Sequence, residues 1–281
     1  MPDWRFLLKV SRPRFWLYVL GPYLVGLAAG AASTDDLLRI EVLVFGLYFL
    51  LPANLLIYGI NDIFDFETDR KNPKKAEYEM LVRPESHRKL LIWMITLNLP
   101  FAAASIYIAP QAIFSLAGFF FFSIFYSAPP IRAKQVPFLD SAFNVLYVFP
   151  GAFAYQMLTG SFPPLLVFAA AWCWTMAMHA YSAIPDIGAD RTAGVNTVAT
   201  LLGPGWTHLF CGLLFAAASI LSVTRLTWLS AIAGLIYVPL MRFSDLAKYP
   251  DGVVRIYKIF PILNAVVGFA LFWYVAWPKF F

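Results

Sequence analysis

Apolar residues in this chain fall in long unbroken blocks separated by short polar breaks, not at the spacing of a half-buried soluble helix or strand. A block of about 20 apolar residues coiled as α-helix matches the hydrocarbon core of a bilayer. The pattern predicts nine spanning helices, at about 15–32, 40–60, 90–108, 112–127, 138–158, 165–184, 206–223, 227–241 and 259–277. Prolines and glycines punctuate them: Ala109-Pro110-Gln111 after the third, Pro129-Pro130 after the fourth, Gly203-Pro204-Gly205 before the seventh. The predicted fold class is an all-α integral membrane protein, a single polytopic domain over 1–281. The first block, with Ala29-Gly30-Ala31 at its end, mimics a signal peptide. Its Trp16, Tyr18 and Gly21-Pro22 fit a packed helix better, so it is expected to be kept.

Composition sharpens this. With 60% hydrophobic and only 13% charged residues, the chain is too apolar for an ordinary soluble domain. Cys173 and Cys211 lie in apolar blocks and form neither a disulfide framework nor a metal pattern. His87, His179 and His208 lack zinc spacing, and His179 reads as a helix-packing histidine. The net charge of +5 does not point to nucleic acid, because the basic residues lie between spans. Placing the N-terminus and every second loop on one side collects Arg5, Lys9, Arg12, Arg14, Arg70, Lys71, Lys74, Lys75, Arg83, Arg88, Lys89, Arg132, Lys134, Arg191, Arg242, Lys248, Arg255 and Lys258, which is 18 of the 21 Lys and Arg. That bias puts the N-terminus in the cytoplasm and the C-terminus outside, in a multi-pass protein of the cell membrane.

After the second block comes Asn61-Asp62-Ile63-Phe64-Asp65-Phe66-Glu67-Thr68-Asp69. Read as one helix, Asn61, Asp62, Asp65 and Asp69 share a face. Clustered carboxylates repel and are costly to desolvate without a counter-charge, which a divalent cation supplies; hard oxygen ligands suit Mg²⁺. A solvated acidic helix end is the plainer alternative. The stretch has an echo, however: Asp65-x-x-x-Asp69-Arg70 recurs as Asp186-x-x-x-Asp190-Arg191, four spans later on the same expected side. The two stretches hold six of the 16 acidic residues and suggest a weak parallel repeat, with halves of about 1–135 and 136–281. Two such clusters facing each other would hold Mg²⁺ ions that clamp a pyrophosphate. Arg70, Lys71, Arg132, Lys134 and Arg191 are candidate phosphate contacts, or charges that only set topology. The 27 Phe, 14 Tyr and 9 Trp pack the spans, and rings of this kind also stabilise a carbocation.

At these residues the chain resembles the UbiA superfamily of membrane prenyltransferases. The family's N-D-x-x-D-x-x-x-D signature is met by Asn61, Asp62, Asp65 and Asp69, and its D-x-x-x-D signature by Asp186 and Asp190. Tyr126-Ser127-x-Pro129-Pro130, followed by Arg132 and Lys134, looks like the family's loop after the fourth helix. The resemblance implies nine helices around a central cavity capped on the cytoplasmic side. It implies Asp62, Asp65, Asp69, Asp186 and Asp190 as catalytic ligands of Mg²⁺ and pyrophosphate. Asn61 would assist through its amide oxygen, and Tyr126, Arg132 and Lys134 would contact the diphosphate. Arg70, Tyr181 and Arg191 complete the expected substrate-binding set. An arginine near the first helix would join them, Arg12 and Arg14 being equally placed. The partners implied are a prenyl diphosphate donor, a hydrophobic acceptor and the bilayer.

Within the family, Asn72-Pro73-Lys74-Lys75, Ala183-Ile184-Pro185-Asp186-Ile187-x-Ala189-Asp190-Arg191-x-Ala193-Gly194 and Thr197-x-Ala199-Thr200 look like the lycopene elongase branch, which adds a dimethylallyl unit to a carotenoid end. Gly188 stands where that branch carries an acidic residue, and the segment after the first motif departs from the R-P-x-x-x-G type of quinone and chlorophyll members. An aromatic or quinone precursor and a glycerol-phosphate lipid are the alternative acceptors. A cation-coupled transporter is the alternative of another class, since acidic pairs and repeats also suit ion pathways.

Overall fold

The computed structural model describes residues 4–70, 80–247 and 249–280, and among them only helices, turns and loops occur. In chain order the α-helices are α1 Trp4–Val10, α2 Leu17–Gly30, α3 Thr34–Leu37, α4 Ile40–Leu50, α5 Pro52–Phe64, α6 Phe66–Asp69, α7 Pro84–Ile108, α8 Ile113–Ser127, α9 Leu139–Ala142, α10 Phe149–Thr159, α11 Leu165–Ala183, α12 Ile187–Ala193, α13 Val198–Leu246, α14 Asp251–Tyr257 and α15 Phe260–Phe280. The chain divides into two compact units. One is Met1–Arg132 with Phe149–Phe162 and Val275–Phe281; the other is Ala133–Val148 with Pro163–Tyr274.

Among the described residues, six helical stretches are long and apolar enough to cross a membrane: Ile40–Phe64, Pro84–Ile108, Pro110–Ser127, Leu165–Ala193, Val198–Leu246 and Asp251–Phe280. Leu43 and Leu47 on α4, and Ile92, Ile95 and Leu99 on α7, point outward. Lipid would cover such side chains where water would not. The departures from the expected spans have local causes. Pro13 opens a 3-10 turn over Pro13–Phe15, so the helix of the first expected span, α2, begins only at Leu17 and has 14 residues. The block at 138–158 is broken into α9, a 3-10 segment Phe143–Tyr147 and α10, with Pro150 near the start of α10. The seventh and eighth blocks lie in one run, α13, interrupted where Gly203 (φ 74) and Thr227 (φ 43) leave helical geometry. Helix also extends beyond the second block, through Asn61 and Asp62 to Phe64.

In the first unit, α2 packs along α10, and Tyr23, Phe45, Tyr48, Phe49, Phe119 and Phe153 form a fully buried aromatic cluster. The Phe45 and Phe153 rings lie 4.5 Å apart, and Tyr23 donates its hydroxyl to the Val42 carbonyl at 2.7 Å. In the second unit, α11 packs along α13 around Ala177, Ala180, Tyr181, Cys211, Phe215, Tyr237 and Met241.

A buried polar chain ties that second core together, and its hydrogens can be assigned. His208 Nδ1 lies 2.8 Å from the Pro204 carbonyl, which only accepts, so Nδ1 carries the proton. Nε2 then accepts from Ser244 Oγ at 2.9 Å, and Ser244 in turn accepts from the Tyr181 hydroxyl at 3.0 Å. Tyr181→Phe removes the first donor and leaves Ser244 bonded to His208. Ser244→Ala strands both a buried phenol and a buried imidazole nitrogen. The expected cost is about 1 kcal/mol for the first and about 2–3 kcal/mol for the second. Thermal unfolding of the purified variants in detergent reads the order, and equal shifts would refute the assignment.

Candidate active site

The first acidic stretch does not stay on one helix. Asp65 leaves helical geometry (φ −107, ψ 4) and ends α5. Its carbonyl accepts from the Thr68 and Asp69 amides at 3.0 and 2.8 Å and from Thr68 Oγ1 at 2.8 Å, closing the new turn of α6. The expectation of Asp62, Asp65 and Asp69 along one continuous helix is therefore corrected: a bend at the central aspartate separates Asp69 from Asp62.

Asp62 and Asp65 are both buried, at 4% and 0% exposure, so their charges need partners. Those partners come from distant segments of the same unit. Arg12 Nη2 donates to Asp62 Oδ1 at 2.6 Å, and its guanidinium lies over the Tyr58 ring, 4.7 Å from the centroid. Of the two arginines left open in the sequence, Arg12 pairs with the motif, and Arg14 is exposed with its guanidinium over Phe15. Arg132 Nη2 lies 3.4 Å from Asp65 Oδ1 and donates to the Phe64 carbonyl at 3.0 Å. Ser127 Oγ donates to Asp65 Oδ2 at 3.2 Å and accepts from Asn61 Nδ2 at 3.3 Å. With its amide nitrogen so engaged, Asn61 keeps its oxygen as the remaining acceptor.

Other expected residues lie as follows. Arg70 is exposed, its Nε 3.2 Å from Glu67. Tyr126 is half-buried near the end of α8. Lys71 and the Asn72-Pro73-Lys74-Lys75 segment fall outside the described residues. In the second unit, Lys134 sits in a 3-10 turn, Ala133–Gln135. Asp186 is the residue before α12, and Asp190 stands in its first turn; both are half-buried. Arg191 is exposed and donates to the Thr200 carbonyl at 3.1 Å. Tyr181 lies in the core described above.

One buried polar residue in each unit had no role in the sequence reading. Ser127 lay within the quoted Tyr126–Pro130 element, but nothing in its spacing marks a carboxylate partner. Asp140 is fully buried; its Oδ2 accepts from the Val198 amide at 3.0 Å and lies 3.8 Å from His179 Nε2. An aspartate at the edge of an apolar block was the signal that could have found it.

Among the described residues, no group of three or more His, Cys, Asp or Glu side chains gathers closely enough to hold an ion. The motif donors are nonetheless of one chemical kind, carboxylate oxygens without thiol or imidazole, and that set fits a hard cation such as Mg²⁺.

Long apolar helices that end in buried, arginine-backed carboxylates define a multi-pass membrane protein with an anionic site at a helix end. Comparison with known proteins makes this specific. The family model described as "UbiA prenyltransferase family" matches residues 19–252. A lycopene elongase/hydratase of Haloferax volcanii is 41% identical, over 94% of this chain and 86% of its own length. One of Halobacterium salinarum is 42% identical, over 94% of both chains. The solved structure of a UbiA homologue from Archaeoglobus fulgidus bound to GPP and Mg²⁺ superposes with a TM-score of 0.70 at 23% identity, covering 95% of this chain and 99% of that one. The chain belongs to the UbiA prenyltransferase family. It is a prenyltransferase, and the transporter alternative is set aside.

Proposed function

We propose that this enzyme uses Mg²⁺ to transfer a dimethylallyl group from its diphosphate to the terminal alkene of lycopene or a related carotenoid, at the cytoplasmic face of the cell membrane. The chemistry rests on one observation: Asp62 and Asp65 are buried at the end of an apolar helix, each against an arginine from a distant segment. Full-length similarity to lycopene elongase/hydratases supports the substrates, and a neighbour of the same fold bound to GPP and Mg²⁺ supports the metal.

In this reading Asp62, Asp65, Asp69, Asp186 and Asp190 hold the metal–pyrophosphate group, with Asn61 assisting through its amide oxygen. Mg²⁺, when bound, supplies positive charge that offsets the charge on the leaving pyrophosphate. Arg12, Arg132, Lys134 and Tyr126 grip the diphosphate oxygens, Arg70 and Arg191 lie further out, and Tyr181 steadies the end of α11. The allylic C–O bond breaks with its electron pair leaving on pyrophosphate. The acceptor alkene then attacks the allylic cation, and the new tertiary cation loses a proton or takes up water. Apolar surroundings keep bulk water from the first cation, which aromatic rings stabilise.

The same reading takes nine crossings with the N-terminus in the cytoplasm. At about 1.5 Å per residue the 49 residues of α13 extend roughly 74 Å, more than twice a hydrocarbon core of about 30 Å. That length supports two crossings from this run, with α2 and the broken segment around α9 and α10 taken as the others.

Expression in a lycopene-making host tests the proposal. The expected pigments are longer than lycopene by one or two five-carbon units, and an Asp186→Ala variant is expected to make none. Unchanged lycopene alongside verified membrane expression would sink the carotenoid assignment and leave the family standing.

A further inference from the structure

Four described residues other than glycine adopt positive φ: Arg12 (φ 52), Arg132 (φ 48), Phe138 and Thr227. Left-handed backbone is unfavourable for a residue with a Cβ, so the fold holds these positions against a local preference. Two of the four are the arginines paired to the first acidic motif. Each engages a carboxylate that the metal–pyrophosphate reading assigns to the cation. A carboxylate oxygen donated to by a guanidinium at 2.6 Å has less negative charge to offer a cation, and the guanidinium's own charge opposes the cation's approach.

We infer that Arg12 and Arg132 are exchangeable counter-ions: they weaken the first motif's affinity for a lone divalent cation and pass to the diphosphate when donor and metal bind together. The inference rests on the metal–pyrophosphate reading of Asp62 and Asp65. The planar fork of a guanidinium fits phosphate as well as carboxylate, so the diphosphate offers each arginine an equivalent partner. The surroundings suit the exchange. Tyr58 lies beneath the Arg12 guanidinium and keeps a contact with it as the carboxylate is released. Arg132 is 36% exposed and its ion pair is the longer of the two, at 3.4 Å. Ser127 holds the other oxygen of Asp65, so that carboxylate keeps its orientation without Arg132. Metal and diphosphate binding are then linked, and by reciprocity each strengthens the other.

The test uses the purified full chain in detergent and two probes: Mn²⁺ alone, followed by electron paramagnetic resonance, and labelled inorganic pyrophosphate retained at saturating Mn²⁺. Arg12→Gln and Arg132→Gln are each expected to tighten lone Mn²⁺ binding by about tenfold and to weaken pyrophosphate retention by about tenfold. Lys9→Gln removes the same charge from the same N-terminal segment, at an exposed position, and is expected to change neither. Should Arg12→Gln fail to fold, the more exposed Arg132→Gln decides alone. Lone Mn²⁺ affinity that is unchanged or weaker in the arginine variants, with binding still abolished by Asp62→Asn, would overturn the inference and make the arginines fixed supports. Mn²⁺ binding that survives both Asp62→Asn and Asp65→Asn would instead overturn the metal reading beneath it. An equal gain in Lys9→Gln would reduce the effect to general charge and likewise refute exchange.

Discussion

Asp65→Asn is expected to lower prenyl transfer by about 10³-fold or more while the protein still folds. Asn keeps the shape of the side chain and can still accept from Ser127, so α5 and α6 keep their bend, which the Asp65 main-chain carbonyl makes. What is lost is one full negative charge at a fully buried position. Removing a single preorganised electrostatic partner of a transition state costs about 10²–10³-fold, and a charged ligand on a leaving diphosphate is expected to lie at or beyond the top of that range. Glu67→Gln is the contrast. Glu67 belongs to the same acidic stretch, but it is exposed and its carboxylate faces Arg70 across the surface of α6. Turnover within about twofold of wild type is expected there, since exposed pairs contribute little. Labelled donor and acceptor in nanodiscs give the rates, with a melting curve as the folding control. An Asp65→Asn enzyme keeping a tenth of wild-type turnover would remove Asp65 from the diphosphate machinery.

The acidic stretch shows what a sequence discloses and what it withholds. Residue types and spacing were legible: Asn61, Asp62, Asp65 and Asp69 stand together in the sequence, and the proposed chemistry calls for such hard oxygen donors. The bend at Asp65 was not, because helical periodicity carries through Asn61–Asp69 without a proline or glycine to mark it. The counter-charges were legible only as a choice among cations. Nothing in the spacing of Arg12, 50 residues from Asp62, separates it from Arg14. The decisive feature, a left-handed backbone that aims the side chain, leaves no trace in residue type. The helices divide in the same way. Uniform apolar blocks such as 90–108 folded as single long helices, α7 among them. Breaks at Leu51-Pro52 and before Pro150 were written in the sequence, since a proline near a helix start cannot donate to the preceding turn. They were passed over because hydropathy runs through them unchanged. The break at Thr227 falls at the expected boundary between the seventh and eighth blocks, where Thr224 and Arg225 interrupt the apolar run, although the sequence did not show that helix continues on both sides of it.

The second large effect is expected at Gly26, in the packing beneath the site. α2 and α10 pack along each other in the first unit, and they meet backbone to backbone at Gly26 and Gly151. A Cβ added at Gly26 would fall on the Gly151 main chain, its carbonyl oxygen nearest. One added at Gly151 would lie 2.8 Å from the Pro22 carbonyl oxygen. The obstructing atoms are backbone, so no rotamer change relieves either contact and the helices have to separate. In a membrane, where hydrophobic burial does not drive helix association, close approach through small residues carries much of the packing energy. Gly26→Ala is therefore expected to cost about 3 kcal/mol, the upper end of what overpacking usually costs. Gly21, five residues earlier on α2, has open space where its Cβ would go. Gly21→Ala adds the same methyl group to the same helix and is expected to stabilise by up to about 1 kcal/mol through helix propensity. For a chain of this size that predicts a melting temperature lower by several degrees in the first variant, and unchanged or higher in the second. Because α2 follows closely on the Pro13–Phe15 turn that Arg12 precedes, displacement of α2 is expected to disturb the Arg12–Asp62 pair too, so Gly26→Ala is expected to lose activity beyond its loss of stability. Equal melting temperatures for the two glycine variants would show that α2 and α10 have room to part, and that the backbone contact at Gly26 does not hold the first unit together.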